Sequence, residues 1–145
     1  IGHKAAAGSA SEITGVLNIY DGGIVNVGAM IGLSWQDTAS DASLNVFDGG
    51  VLNLSQLNAT DSFGTDSVMT IWASGLVTLN NNRVADVNNF ISDGHIVAGG
   101  GGILNVAFDS GRGETWITVV PEPSAAGLLV GMGATVFVGL RRRRA

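Results

Sequence analysis

With 145 residues the chain has room for one domain and an appendage. It is 46% hydrophobic but only 6% aromatic, with 22 glycines, two prolines and no cysteine. That composition excludes collagen, a disulfide scaffold, a thiolate metal centre and a cysteine nucleophile. The formal charge of −5 is unevenly placed: residues 1–120 hold Lys4, Arg83 and Arg112 against eleven acids, while Arg141–Arg144 close the chain. So acidic a body disfavours nucleic acid as a partner, because phosphate binding needs a basic surface. The chain starts at Ile1 without a methionine, and reads as a fragment or processed form whose export signal would lie upstream.

Along the chain, one pattern recurs. Leu17-Asn18-Ile19-Tyr20-Asp21-Gly22-Gly23-Ile24-Val25-Asn26-Val27 aligns with Leu44-Asn45-Val46-Phe47-Asp48-Gly49-Gly50-Val51-Leu52-Asn53-Leu54. Met69-Thr70-Ile71-Trp72-Ala73-Ser74-Gly75-Leu76-Val77-Thr78-Leu79 is a looser copy, and Ile96 to Val106 keeps the glycine and the second half. Gly23, Gly50, Gly75 and Gly102 mark the shared position. Each unit reads as two short strands around a glycine turn, because the apolar residues alternate with Asn and Thr and so define one buried face.

A period of about 26 residues suits one turn of a stacked repeat. The fold expected is therefore all-β, a parallel β-helix (solenoid) of about four coils over residues 1–120, right-handed by the rule for parallel crossovers. Stacked Asn residues should then hydrogen-bond along the axis. Within 81–94, apolar residues at 84, 87, 90 and 91 have helical spacing, with Asn before and Gly94 after. A short helix is expected there, and a last strand at Trp116–Val120.

Few residues suggest chemistry. Asp21 and Asp48 fall on neighbouring repeats and could hold a hard cation or share acid–base work. Asp-Gly-Gly is more simply a turn, and the acid does not recur at Ala73 or Gly100. His3 and His95 lack ligand spacing to any partner. Gly99–Gly102 lacks the Lys-Ser/Thr of a phosphate loop and leads into a strand. Asn53-Leu54-Ser55 and Asn58-Ala59-Thr60 match a glycosylation sequon that chance explains in so Asn-rich a chain. Tyr20, Phe47 and Trp72 occupy equivalent outward positions and form a candidate carbohydrate-contact ladder, although stacking on one another across strands is the simpler role. No catalytic set, metal site or cofactor is expected.

The tail is the most specific feature. Pro121-Glu122-Pro123-Ser124 is followed by a charge-free run to Leu140 and then by Arg141, Arg142, Arg143 and Arg144. As a helix, residues 124–140 would be ~26 Å long, near the lower limit for a bilayer. Arginines directly after it make the stop-transfer, positive-inside pattern, and Gly127-x-x-x-Gly131 offers a helix-packing spacing. The prolines stop strand and helix alike, leaving an extended hinge.

This three-part tail resembles the PEP-CTERM sorting signal of Gram-negative bacteria, and the repeat body is similar, more loosely, to bodies found in such proteins. The resemblance implies recognition by an exosortase, transient residence in the inner membrane through a transmembrane helix at 124–140, removal of the tail, and delivery to the cell surface or extracellular matrix alongside exopolysaccharide. It implies no activity for residues 1–120. Two readings of the body follow: a non-enzymatic surface or matrix protein, adhesive or exopolysaccharide-associated, or a polysaccharide-active β-helix enzyme, a lyase or glycoside hydrolase. The second needs carboxylates gathered in a groove, often with a basic residue, and the body has little of either.

Overall fold

The computed structural model describes residues 15–33, 42–57, 63–64 and 66–121. Nine strands and one short α-helix follow in the order β1 (Gly15–Ile19), β2 (Ile24–Met30), β3 (Ala42–Val46), β4 (Val51–Gln56), β5 (Val68–Ile71), β6 (Leu76–Asn80), α1 (Val84–Ser92), β7 (Ile96–Ala98), β8 (Ile103–Asp109) and β9 (Glu114–Val120). They form two sheets. One is four-stranded, β1-β3-β5-β7, and entirely parallel; the other is five-stranded, β2-β4-β6-β9-β8, and mixed.

Among the parallel strands, pairing joins equivalent positions of successive repeats. Leu17 lies beside Leu44, Leu44 beside Met69, and Met69 beside Ile96. In the second sheet Leu52 stands between Val25 and Val77. Alternation sets which face is hidden: Leu44, Val46, Leu52, Met69, Ile71, Val77 and Leu79 are fully buried in one core. The other face carries amides. Asn45 Nδ2 donates to Asn18 Oδ1 (2.8 Å), Asn53 Nδ2 donates to Asn26 Oδ1 (2.7 Å), and Thr78 Oγ1 donates to Asn53 Oδ1 (2.7 Å).

The expected parallel β-helix of four coils is not what the chain forms. The parallel order stops in the second sheet, where β9 inserts antiparallel beside β6 and β8 pairs only with β9. The cause is local. Asp109 Oδ1 accepts the amides of Gly111 (2.8 Å) and Arg112 (3.3 Å), and Gly113 N donates to Asp109 O (2.8 Å). That turn folds the chain into a tight hairpin, and a tight hairpin makes its strands antiparallel. Of the two hairpin strands it is β9 that takes the β6 edge, so Val77 faces Ile117 in place of Leu104. Ile117 and Val119 complete the core, while Leu104 and Val106 are only half-buried. The architecture is thus mixed α/β, mostly strand, and the expected handedness lapses with the coil.

The short helix closes one flank of the core with Val87 and Phe90. Asn82 Oδ1 accepts the Val84 amide at its start (3.3 Å). At its end Gly94 N donates to Ile91 O and His95 N to Phe90 O, the paired bonds of a Schellman stop. Buried Thr115 ties helix to hairpin, accepting the Arg83 amide and donating to Asn81 O, each at 2.8 Å.

Among the described residues, no helix is long and apolar enough to cross a membrane. The transmembrane helix expected at 124–140 lies outside the described residues, as do Gly127 and Gly131.

The central position of Asn53, with bonds on both sides, gives a stability prediction. Asn53→Ala removes both bonds and leaves the buried Thr78 hydroxyl without its acceptor, while exposed Asn26 turns to water; it should cost about 1–3 kcal/mol, and Asn18→Ala, at the end of its row, about 1 kcal/mol or less. Urea unfolding at unchanged m-value checks the order; equal losses would mean the amide rows do not act as rows.

Candidate functional site

Tyr20, Phe47, Trp72, Asp21, Asp48 and Gly99–Gly102 gather along one edge, where each glycine turn joins the first sheet to the second. The turns are superimposed. Gly23, Gly50 and Gly75 each donate their amide to the carbonyl three residues back, on Tyr20, Phe47 and Trp72 (2.8, 2.9 and 2.8 Å). The backbones approach so closely that a Cβ on Gly50 would meet Ile19 O at 2.5 Å, and one on Gly75 would meet Val46 O at 2.5 Å. That crowding, rather than turn conformation alone, fixes glycine at the repeat position.

Close stacking of the turns brings Tyr20, Phe47 and Trp72 into one column. The Tyr20 and Phe47 rings are 4.8 Å apart and inclined by 7°, and Phe47 and Trp72 are 5.5 Å apart and inclined by 17°. Their faces therefore cover one another, and Phe47 is covered on both sides. The column ends on the equivalent position of the fourth unit, Gly99, where a Cβ would overlap the Trp72 indole. Solvent meets mostly ring edges. The single open face at the far end belongs to Tyr20, which is 59% exposed.

Beside Trp72 lies a cavity of about 350 Å³, walled by Asp48, the Gly99–Gly102 loop, Val119 and Pro121. The hairpin creates it: β9 returns Val119 and Pro121 across the end of the column. Gly99–Gly102 thus serves as cavity wall. Trp72 Nε1 is buried without a hydrogen-bond acceptor among the described residues. Sequence reasoning weighed Gly99–Gly102 only as a phosphate loop, and passed over Ser74 and Val119 here. The signal for Gly99 was present, since it aligns with Tyr20, Phe47 and Trp72; nothing in the sequence announced that β9 would return.

The two carboxylates belong to the same edge. Asp48 Oδ1 accepts the Ser74 amide of the next turn (3.4 Å), and a Cβ on Gly49 would overlap the Asp21 carboxylate. Each acid thus lies over the following turn, and the described residues contain no group of three potential metal ligands.

The remaining candidates are elsewhere. His95 stacks on Phe63 (5.2 Å) beside Phe90, and its Nδ1 is 3.0 Å from Ser67 O. A carbonyl only accepts, so Nδ1 carries the proton. Asn53 is held by its two amide-row bonds. Pro121 is exposed and directly follows β9. His3, Asn58, Glu122, Pro123, Ser124 and Arg141–Arg144 lie outside the described residues.

Two substitutions test the column. Phe47→Leu should cost about 0.5–1.5 kcal/mol beyond the lost area, the contribution of ring–ring geometry. Gly99→Ala should displace the indole, cost about 1–3 kcal/mol as overpacking does, and shift the Trp72 fluorescence maximum to the red. An unshifted spectrum with unchanged stability would place Trp72 away from Gly99.

Comparison of the chain with protein-family models, with curated proteins and with solved structures found no match.

Proposed function

We propose that this chain is an exported, non-enzymatic cell-surface or extracellular-matrix protein, sorted through its C-terminal tail and associated with exopolysaccharide. The observation that carries the reading is the position of the tail. Pro121 is exposed and begins where the last strand ends, so Pro121-Glu122-Pro123-Ser124 starts at the boundary of the folded body. Cutting there would leave every described strand intact. The charge-free run to Leu140 and Arg141–Arg144 follow in the order that a membrane-embedded processing enzyme of the exosortase type reads.

Properties of the body support a structural role. Asn18, Asn45, Asn26, Asn53 and Thr78 are bonded to one another across repeats, and Asp48 to a neighbouring turn. Polar groups of this kind build the fold and are thereby held away from chemistry. The acidic body keeps the molecule soluble once released. The polysaccharide-cleaving alternative gains nothing comparable, since Arg83 and Arg112, the cations among the described residues, pair with Asp86 (3.2 Å) and Asp109 (3.8 Å).

The test is expression of the full protein with its native export signal, in hosts with and without the processing enzyme. Mass spectrometry should find loss of a C-terminal fragment and release from the inner membrane only when the enzyme is present. Pro121→Ala with Pro123→Ala should abolish both. A full-length, membrane-retained product in both hosts would refute the sorting reading.

A further inference from the structure

We propose that the end of the stack formed by β1 and β2 is the interface of a two-fold symmetric dimer, in which a second copy of this chain pairs edge to edge and antiparallel. The inference is independent of the sorting reading above.

The two ends of the stack differ. At one end both sheets finish on strands of the same repeat, β1 and β2, so that end is flush. At the other, β7 ends a sheet of four strands and β8 a sheet of five, which leaves a step and disfavours head-to-tail stacking. The flush end is also where the core is open. Leu44, Leu52 and Leu54 are buried, whereas their counterparts Leu17, Val25 and Val27 are half-buried. On the outer faces Val16 and Ile24 are 63% and 64% exposed, beside the open ring face of Tyr20. Natural sheets blunt such an edge with charge or proline. β1 and β2 contain neither, and their regular pairing is interrupted only beyond Val27.

The pattern on this edge is its own complement. Ile19 O is turned to β3, where it accepts the Phe47 amide (2.8 Å), and Gly23 O is turned to β4, where it accepts the Val51 amide (2.9 Å). Successive residues of a strand turn their backbone groups to opposite sides. Val16, Asn18, Ile24 and Asn26 therefore present theirs to the open edge. Antiparallel pairing centred on Asn18 sets Asn18 against Asn18 and Val16 of each copy against Tyr20 of the other. A β-branched residue against an aromatic is a favourable cross-strand pair, and it covers the open face of the ring column. Centring β2 on Asn26 sets Val25 against Val27 on the core side. Asn18 and Asn26 lie four residues either side of Gly22, so one two-fold axis across the sheets serves both strands.

The amide rows close on the same axis. Asn18 Oδ1 accepts from Asn45 and Asn26 Oδ1 from Asn53, and neither Nδ2 has an acceptor among the described residues. In the dimer each Nδ2 donates to the Oδ1 of the same residue in the other copy, which has a second lone pair to offer. Apolar, amide and aromatic rows thus run on through the interface, and the stepped end with Pro121 stays free.

The experiment is sedimentation equilibrium of the full chain in detergent over a concentration series. The protein mass should double. Asn18→Lys brings two like charges face to face at the axis and should weaken association about tenfold or more. Ile103→Lys, at an exposed apolar position on β8, should leave it unchanged. Far-UV circular dichroism confirms the fold of each variant. Geometry has its own readout. The chain has no cysteine, and the Cα atoms of a hydrogen-bonded antiparallel pair are about 5.5 Å apart, a distance a disulfide spans. Mild oxidation should therefore link two copies of Asn18→Cys and not of Ile103→Cys. A monomer throughout, whether the edge is bare or covered by residues 1–14, would overturn the proposal. So would masses beyond the dimer that Ile103→Lys removes, a doubled mass that Asn18→Lys leaves intact, or no disulfide in Asn18→Cys.

Discussion

Like residues stacked in register, one repeat apart, are the constraint on which the rest of this structure depends. Parallel pairing places Leu17, Leu44 and Met69 side by side, and with them their neighbours. A single register therefore builds three rows at once: an apolar row inside, an amide row outside, and an aromatic row at the turns. A slip of one residue would exchange inside for outside and break all three. Glycine at 50 and 75 makes this possible by letting successive turns approach to contact. The apolar row supplies most of the stabilisation, at about 25 cal/mol per Å² removed from water. The amide and aromatic rows add less energy but specify which register forms.

The same constraint explains why the rows stop. Stacking continues only while the next strand offers its edge in the same direction. In the first sheet β7 does so, and Ile96 is buried beside Met69. In the second, β9 takes the β6 edge in reverse, burying Ile117 and Val119, and β8 pairs outside it. Trp116 stands opposite Thr78, where a further amide would have continued the row. Arg112 lies over the Trp116 ring at 4.9 Å, and Trp116 Nε1 donates to Glu114 Oε2 (3.3 Å), so the terminating strand is tied to its own hairpin. The cavity at Trp72 is a by-product of this reversal.

Local pattern was legible and its termination was not. The alignment of Leu17 to Val27 with Leu44 to Leu54 states the pairing register residue by residue, because period-two alternation leaves no other way to bury both strands. The helix was legible from Val84, Val87, Phe90 and Ile91 between an expected Asn cap and Gly94; the structure puts Arg83 at the cap position, with Asn82 Oδ1 accepting the Val84 amide, and the Schellman bonds at Gly94 needed coordinates. The fourth unit misled: Ile103 to Val106 carries the pattern of a stacked strand, and the parallel β-helix was extrapolated from it. What that pattern does not show is that the chain turns back at Ser110-Gly111-Arg112-Gly113 and that β9, not β8, pairs with β6. At the site, the column of Tyr20, Phe47 and Trp72 was visible as three equivalent positions. That the rings stack on one another was the simpler reading of the sequence, and the 7° and 17° inclinations bear it out.

Body and tail meet at one point: the strand that ends the stacking also delivers Pro121 to the cavity wall and to the start of the proposed sorting motif. Everything at that end follows from β9 lying antiparallel against β6. Solution NMR tests this directly through the contacts of the Val77 and Thr78 protons. Cross-strand contacts from Val77 to Ile117 and from Thr78 to Trp116, with an antiparallel Hα–Hα pattern, are the expected result. Contacts from Val77 to Leu104 in a parallel pattern would mean that the stacking continues into the fourth unit, and would contradict both the interrupted sheet and the cavity built on it.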